Sequence, residues 1–352
     1  MEVPRTKWFH ELASHIRHGT PSENTPLFNA NTPRVRSASG ARRSSAAEIH
    51  RRYPQLFSLS SMKLRIVHQT RYLYSKKVHF GPHRLVLRPR EGHDLRVESM
   101  NVKIEPAAHL TWSRDVFGNS VATVEFEKPS KELLIESNAL VVRMSPVVKR
   151  RKRLSSITPW PPVYDSLERV AVKPYQRLSY PKDAAAVKTW LENFRIKKPD
   201  FAEDVARNLN EYIYDELKYI RREEKGVLTP AQTLQTGGGS CRDLATLMLE
   251  AARSLGIAAR FASGYLECHA AILGEASTHA WAEIYHPGRG WSGYDPSIGE
   301  ETTSRHVVTG VSNHPRGVMP VSGSYYGKAG AFKDMEISVT VRPEPEATEN
   351  DS

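Results

Sequence analysis

The chain has 352 residues, 39% of them hydrophobic, and a net charge of +11 at neutral pH, a length that favours two folded units. No apolar run approaches the roughly 18 residues of a membrane-spanning helix, and no basic start followed by a short apolar stretch reads as a signal peptide. Its two cysteines, Cys241 and Cys268, exclude a disulfide framework, so a cytoplasmic protein with free thiols and no membrane span is expected.

Residues 1–61 carry nine basic and four acidic side chains, lack a sustained period and are rich in Ser, Pro, Asn and Arg; they read as a disordered basic extension. At Met62 the texture changes: Leu64, Ile66, His68, Thr70, Tyr72 and Tyr74 alternate with charged or polar neighbours, the period of a half-buried strand. A methionine at this boundary raises the expectation that translation starts at Met62 and that the preceding segment is a gene-model extension. Short β-type runs follow, among them Met100/Val102/Ile104 and Val121 to Phe126, with "DVFGN" (Asp115 to Asn119) as a turn. Residues 62–144 are therefore expected to form an all-β domain.

Residues 145–182 hold the basic run Lys149 to Arg153 ("KRRKR") and the prolines of "TPWPP" without a regular period, and read as a linker. Neither basic segment has the aromatic interleaving of a single-strand binder or the Cys/His spacing of a zinc finger, so nucleic acid is not expected as a partner. From 183 to 342 helices lead and strands follow. Val187, Trp190, Leu191 and Phe194 share one helical face; Phe201, Val205, Leu209, Tyr212, Ile213, Leu217 and Ile220 share another, with Asp200 as N-cap and Glu203 at N3. A third helix begins at Cys241. Strands are expected over about 258–267, over "THAWAEIYH" (Thr278 to His286) and over "WSGYDP" (Trp291 to Pro296), the last two joined by a "PGRG" turn. Helices followed by antiparallel strands indicate an α+β fold. Ile337, Val339 and Val341 add an edge or closing strand before a loose acidic tail at 343–352.

The stretch "TGGGSCRDLATLMLEAARSLGIAARF" raises the functional question. Ser240 and Asp243 have capping-box spacing, which puts Cys241 at the first helical position, where free N–H groups and the helix dipole favour a thiolate. Leu244, Leu247, Met248, Ala251, Ala252 and Leu255 form the apolar stripe, and Cys241 lies on the same face. The three glycines let a main chain or a substrate come close. Buried filling is the competing reading of any free cysteine, but His279 and Asp295 flank one hairpin and supply a base and its orienting carboxylate. Symmetric pairing about the "PGRG" turn offsets these two by about three residues, so a bulge or longer loop is expected to correct the register. Asp243 places a negative charge near the thiol, with a net effect open at this point. Arg242 is either a carboxylate clamp or a solvent-facing residue. Cys268 beside His269 lacks paired metal-ligand spacing, and no metal or cofactor is required.

"GGGSCRDLATLMLEAARSLGIAARFASGYLE" followed by "STHAWAEIYHPGRGWSGYDPSIGE" resembles the bacterial transglutaminase-like superfamily. "MKLRIVHQTRYLYSKKV" resembles the N-terminal β domain that accompanies that core, and "NHPRGVMPVSGSYYG" its closing segment. The resemblance implies a papain-like core, a cysteine-bearing helix on an antiparallel sheet, with Cys241 as nucleophile, His279 as general base and acid, and Asp295 orienting the imidazole. Trp281 and Tyr294 match the family's aromatics, or are plain sheet packing, and Gly293 permits close approach before the acid. The oxyanion hole would include the Cys241 N–H, with Gln232 or Gln235 as candidates for a second donor. The implied reaction is thiol-dependent acyl transfer on a protein or peptide substrate, with peptide or isopeptide hydrolysis (a cysteine protease or amidase) favoured. The alternatives are a transglutaminase and a catalytically retired protein-binding module.

Overall fold

The computed structural model describes residues 61–144, 158–194, 201–222, 224, 226–267 and 278–344. The readings of the basic extension, the Lys149 to Arg153 run, Asp200, Cys268, His269 and the last eight residues lie outside these. Among the described residues no helix is long and apolar enough to cross a membrane.

Alternation in the first strand sets up the accessory domain. In β1 (Ser61–Phe80) Leu64, Ile66, His68, Thr70 and Tyr74 are buried, as a period of two requires when one face is covered. β1 is flanked by β6 (Ser130–Met144), which pairs in turn with β3 (Leu95–Glu105). Its other neighbours are β15 (Tyr325–Tyr326) and β16 (Phe332–Pro343). A second sheet has the order β14 (Val321–Ser322), β2 (His83–Leu85), β5 (Ser120–Phe126) and β4 (Ala108–Arg114). The alternating C-terminal stretch thus closes the N-terminal sheet, Ile66 opposite Val341 and His68 opposite Val339. Residues 321–343 therefore pair with the 62–144 domain and not with the 183–342 segment their position in the chain suggests. Linear order carries no information about such a partner.

The 145–182 segment also departs from a plain linker. It contains α1 (Ser166–Gln176), capped by Asp165, whose carboxylate accepts from Leu167 and Glu168 N–H at 2.8 Å each. Its helical period is hidden in the sequence because Leu167 and Val170 are 83% and 78% exposed while Val172 is buried. Two further helices follow, α2 (Ala184–Leu191) and α3 (Ala202–Glu216). α3 has Phe201 as its N-cap with no side-chain cap; Glu203, expected to complete a capping box, instead accepts from the N–H and hydroxyl of Thr158.

The core sheet is antiparallel with the order β12 (Glu300–Glu301), β11 (Gly290–Asp295), β10 (Thr278–His286), β9 (Ala259–Leu266) and β13 (His306–Ser312). α5 (Cys241–Ser254) packs on it through Leu244, Leu247, Met248, Ala251 and Ala252 against Phe261, Ala280, Ala282 and Ile284. This is an α+β core preceded by an all-β region. The two are joined tightly. Leu64, Ile66, Val141 and Val339 of the accessory sheet bury against Tyr265 and Val307 of the core. At the tip of the β4–β5 turn, the buried amide of Asn119 donates to Val311 O at 2.8 Å and accepts from Val311 N at 2.9 Å, pairing with the edge strand β13 as another strand would.

His68 stands in this seam, one ring nitrogen 3.0 Å from Tyr265 Oη and the other 3.0 Å from Thr70 Oγ1. Burial pushes its pKa down to about 4. An unfolded histidine takes up its proton near pH 6.5, so between 6.5 and 4 the unfolded chain binds more protons and stability falls with falling pH. The expected loss from this one group is about 3 kcal/mol by pH 4. Urea unfolding of wild type and His68→Gln across that window checks it: the variant should lose stability less steeply, and equal slopes would remove His68 from the account.

Candidate active site

The site begins with the three glycines, each required for a different reason. Gly237 ends α4 (Pro230–Thr236) in the left-handed conformation, φ 68°, which side-chain-bearing residues rarely adopt. A Cβ on Gly238 would strike the carbonyl of Lys218, and one on Gly239 the side chain of Asp243. The close approach they allow is that of β7 (Lys218–Tyr219), which pairs in parallel with β8 (Gly238–Gly239) and places Tyr219 opposite Gly239. Ile220 N–H extends the pairing, donating to Gly239 O at 2.8 Å.

Ser240 and Asp243 form the expected capping box, and Cys241 starts α5 with 7% exposure, its side chain in the core face of the helix. Asp243 accepts from the N–H and hydroxyl of Ser240 at 2.9 and 2.8 Å, from Leu228 N–H at 2.7 Å and from the Arg222 guanidinium at 2.9 Å. Burial works against its ionisation, but these donors, Arg222 foremost, overcome it and hold the carboxyl below its usual range. Arg222 therefore offsets the negative charge beside the cysteine and leaves the helix N-terminus as the local field. Arg242 is half-buried and reaches the backbone oxygen of Arg222 at 3.4 Å.

His279 opens β10 and Asp295 ends β11. The two strands pair without a shift from His286/Gly290 to Ala282/Tyr294, so the expected bulge is not there. Continued by one step, this register sets Asp295 opposite Trp281, two residues from His279 on the same face, a diagonal that side chains can span. The contact is direct: His279 Nε2 lies 2.5 Å from Asp295 Oδ2. Asp295 Oδ1 accepts from Ser297 N–H at 3.0 Å and its hydroxyl at 2.6 Å. Burial opposes the charge on Asp295, yet the His279 charge and the hydrogen bonds from His279, His306 and Ser297 keep its pKa well below the carboxylate range. For His279, burial lowers the pKa, but the negative charges of Asp295 and Cys241 and hydrogen bonds to both outweigh it and hold the imidazolium well above 6.5. With Nε2 engaged by Asp295, Nδ1 is the ring nitrogen left for the thiol.

Cys241, His279 and Asp295 thus meet at one end of the core sheet. Other candidates fall elsewhere. Gln232 caps α4, accepting from Thr229 N–H at 2.9 Å, and Gln235 is exposed on the same helix. Tyr294 is buried against His286, 3.1 Å from its Nε2, and the space at Gly293 is taken by Thr302. Trp281 is buried between the accessory domain and the site, its ring centroid 6.1 Å from that of His279. Two residues escaped the sequence reading. Tyr219 is 43% exposed and stands opposite Gly239, two residues before Cys241; its pKa is raised by burial first and then by the charge of Cys241. His306, at the start of β13, has Nε2 3.2 Å from Asp295 Oδ2. Two histidines and a carboxylate have the composition of a metal set, but His306 Nδ1 accepts from Thr303 N–H at 3.1 Å. Its proton therefore sits on Nε2, the atom a metal would have to ligate.

Comparison with known proteins agrees with this architecture. Residues 64–142 match the bacterial transglutaminase-like N-terminal region and residues 188–296 the transglutaminase-like superfamily. An uncharacterized protein of Mycobacterium tuberculosis is 28% identical over 294 residues, 80% of this chain and 93% of its own. One of Mycobacterium leprae is 28% identical over 286 residues, 79% and 98%. A crystal structure of a candidate cysteine protease from Cytophaga hutchinsonii aligns with a TM-score of 0.61 at 16% identity, covering 82% of this chain and 93% of that one. With the accessory sheet and the segment from α2 to Asp295 both matched, together more than half of its length, the chain belongs to the transglutaminase-like superfamily.

Proposed function

We propose that this protein is a thiol-dependent acyl-transfer enzyme that hydrolyses amide bonds in peptides or isopeptides. The observation that carries the reading is the buried hydrogen bond of His279 with Asp295, on an imidazole whose pKa is also raised by Cys241, with the thiol at a helix N-terminus. Cys241 Sγ attacks the amide carbonyl carbon, and the thiol proton resides on His279 Nδ1. The developing oxyanion is met by the Cys241 N–H, which has no intrahelical acceptor at the first helical position, and by the Tyr219 hydroxyl. His279 then protonates the leaving amine as the C–N bond breaks, leaving a thioester. Water attacks the thioester, giving its proton to His279, and the carboxylic acid departs as the thiol is re-formed. Hydrolysis rather than amine transfer is favoured by the description of the Cytophaga hutchinsonii protein, which has the same fold.

The test is incubation of the full chain and its Cys241→Ala variant with a defined peptide library, with and without a primary amine, read by mass spectrometry. New peptide termini from wild type and none from the variant are expected, a loss beyond about 10⁴-fold on removal of the nucleophile. Amine-substituted glutamines in place of cleavage would make the protein a transglutaminase. Identical spectra from both proteins would favour a retired binding module.

A further inference from the structure

His306 is invisible to local sequence pattern and has no part in the three-residue mechanism, yet it occupies the far side of Asp295. Three observations fix its state. Its Nδ1 accepts from the backbone N–H of Thr303 at 3.1 Å. Its Nε2 lies 3.2 Å from Asp295 Oδ2, the same oxygen that contacts His279. It is 4% exposed, with the Trp281 ring edge-on at 5.2 Å between centroids. A backbone N–H can only donate, so Nδ1 must carry a lone pair and the ring must be neutral with its proton on Nε2. The backbone bond to Thr303 also anchors the ring.

We propose that His306 is a positioning residue: an Nε2–H donor, its tautomer set by Thr303, that holds Asp295 Oδ2 in line with the His279 ring. The inference rests on the acyl-transfer reading and extends it. Asp295 would otherwise be fixed only through Oδ1, by Ser297, and free to swing Oδ2 away from the imidazole. The donor also lowers the basicity of the carboxylate, so the proton between the two groups stays on the His279 imidazole and does not pass to Asp295. Among the described residues, the titratable groups that face this pair are Asp295 at the end of β11, Cys241 at the start of α5 and Tyr219 on β7.

The test uses iodoacetamide and the full chain, so it needs no known substrate. Alkylation of Cys241 is followed across pH by mass spectrometry for wild type, His306→Ala, His306→Gln and His279→Ala. In His306→Ala, the alkaline step at which the imidazolium loses its proton should move towards the ordinary histidine range. The alkylation rate at neutral pH should fall about tenfold or more, as expected for loss of a hydrogen bond to a charged group. His306→Gln, which can present an N–H near the Nε2 position, should restore most of both. An unchanged profile in His306→Ala, even with a lowered melting temperature, would make the residue merely structural and overturn the proposal. If instead wild type and His279→Ala gave the same profile, the acyl-transfer reading itself would fall, a distinguishable result.

Discussion

Asp295→Asn is expected to lower turnover by about 10³–10⁴-fold while the chain still folds, an effect of the size seen when a triad carboxylate is made neutral. The reason lies in the donors that surround this carboxylate. Oδ1 receives the N–H and hydroxyl of Ser297, and Oδ2 receives His279 and His306. An asparagine has one acceptor and one donor end, so either orientation sets an NH2 group against another donor. Turning it towards Ser297 opposes a backbone N–H that cannot change. Turning it towards His279 also opposes the His306 Nε2–H, which Thr303 fixes, and is relieved only on the His279 side, by moving that imidazole proton from Nε2 to Nδ1, which presents an N–H to the thiol where the proposed reaction needs a proton acceptor. Either orientation removes the carboxylate charge that holds the imidazolium. The loss should lie in kcat, with the thermal midpoint showing the variant to be folded. Activity within tenfold of wild type in a folded Asp295→Asn protein would exclude the proposed role.

The parts of this site that were legible in the sequence are those set by local pattern. Capping-box spacing placed Cys241 at a helix start, alternation marked β1, and "PGRG" marked the hairpin that brings His279 towards Asp295. What escaped is held by contacts far apart in the chain. His306 follows Asp295 by 11 residues across a turn and belongs to no helical or strand repeat shared with it. Tyr219 comes near the start of the cysteine helix because β7 pairs with the glycines before it. β16 closes the sheet begun by β1, some 270 positions earlier. Buried charge was equally hidden. Glu250 and Arg253 lie on α5 at 1% and 3% exposure, where a polar residue usually marks the solvent face. They form a pair at 2.9 Å, and Glu250 accepts the N–H groups of Ser179 and Tyr180. The pair thereby ties the segment after α1, read as a plain linker, to the cysteine helix.

The same principle makes Asp243→Ala the substitution with the largest expected effect on stability. Asp243 is fully buried and is reached by Arg222, Leu228 N–H and both donors of Ser240. Its removal leaves the Arg222 guanidinium, 16% exposed, without its buried counter-charge, and strands the N–H groups of Ser240 and Leu228. Breaking a buried pair from one side costs about 3–5 kcal/mol, a large share of the 5–15 kcal/mol that holds a typical domain together. Because the folded-state pKa of Asp243 is depressed, its contribution is fully present above the ordinary aspartate value near 4 and is lost as pH falls through the folded value. Urea unfolding at pH 7 should show the full deficit in Asp243→Ala. The added substitution Arg222→Met should recover part of it by removing the stranded charge, a coupling that a double-mutant cycle reads directly. Strict additivity of the two losses would mean that the ion pair is not what anchors the loop. Since Asp243 ties the start of α5 to the segment that follows β7, the same variant should also release Tyr219 from its place opposite Gly239. Stability and the geometry around Cys241 would then be lost together, because one buried carboxylate holds both.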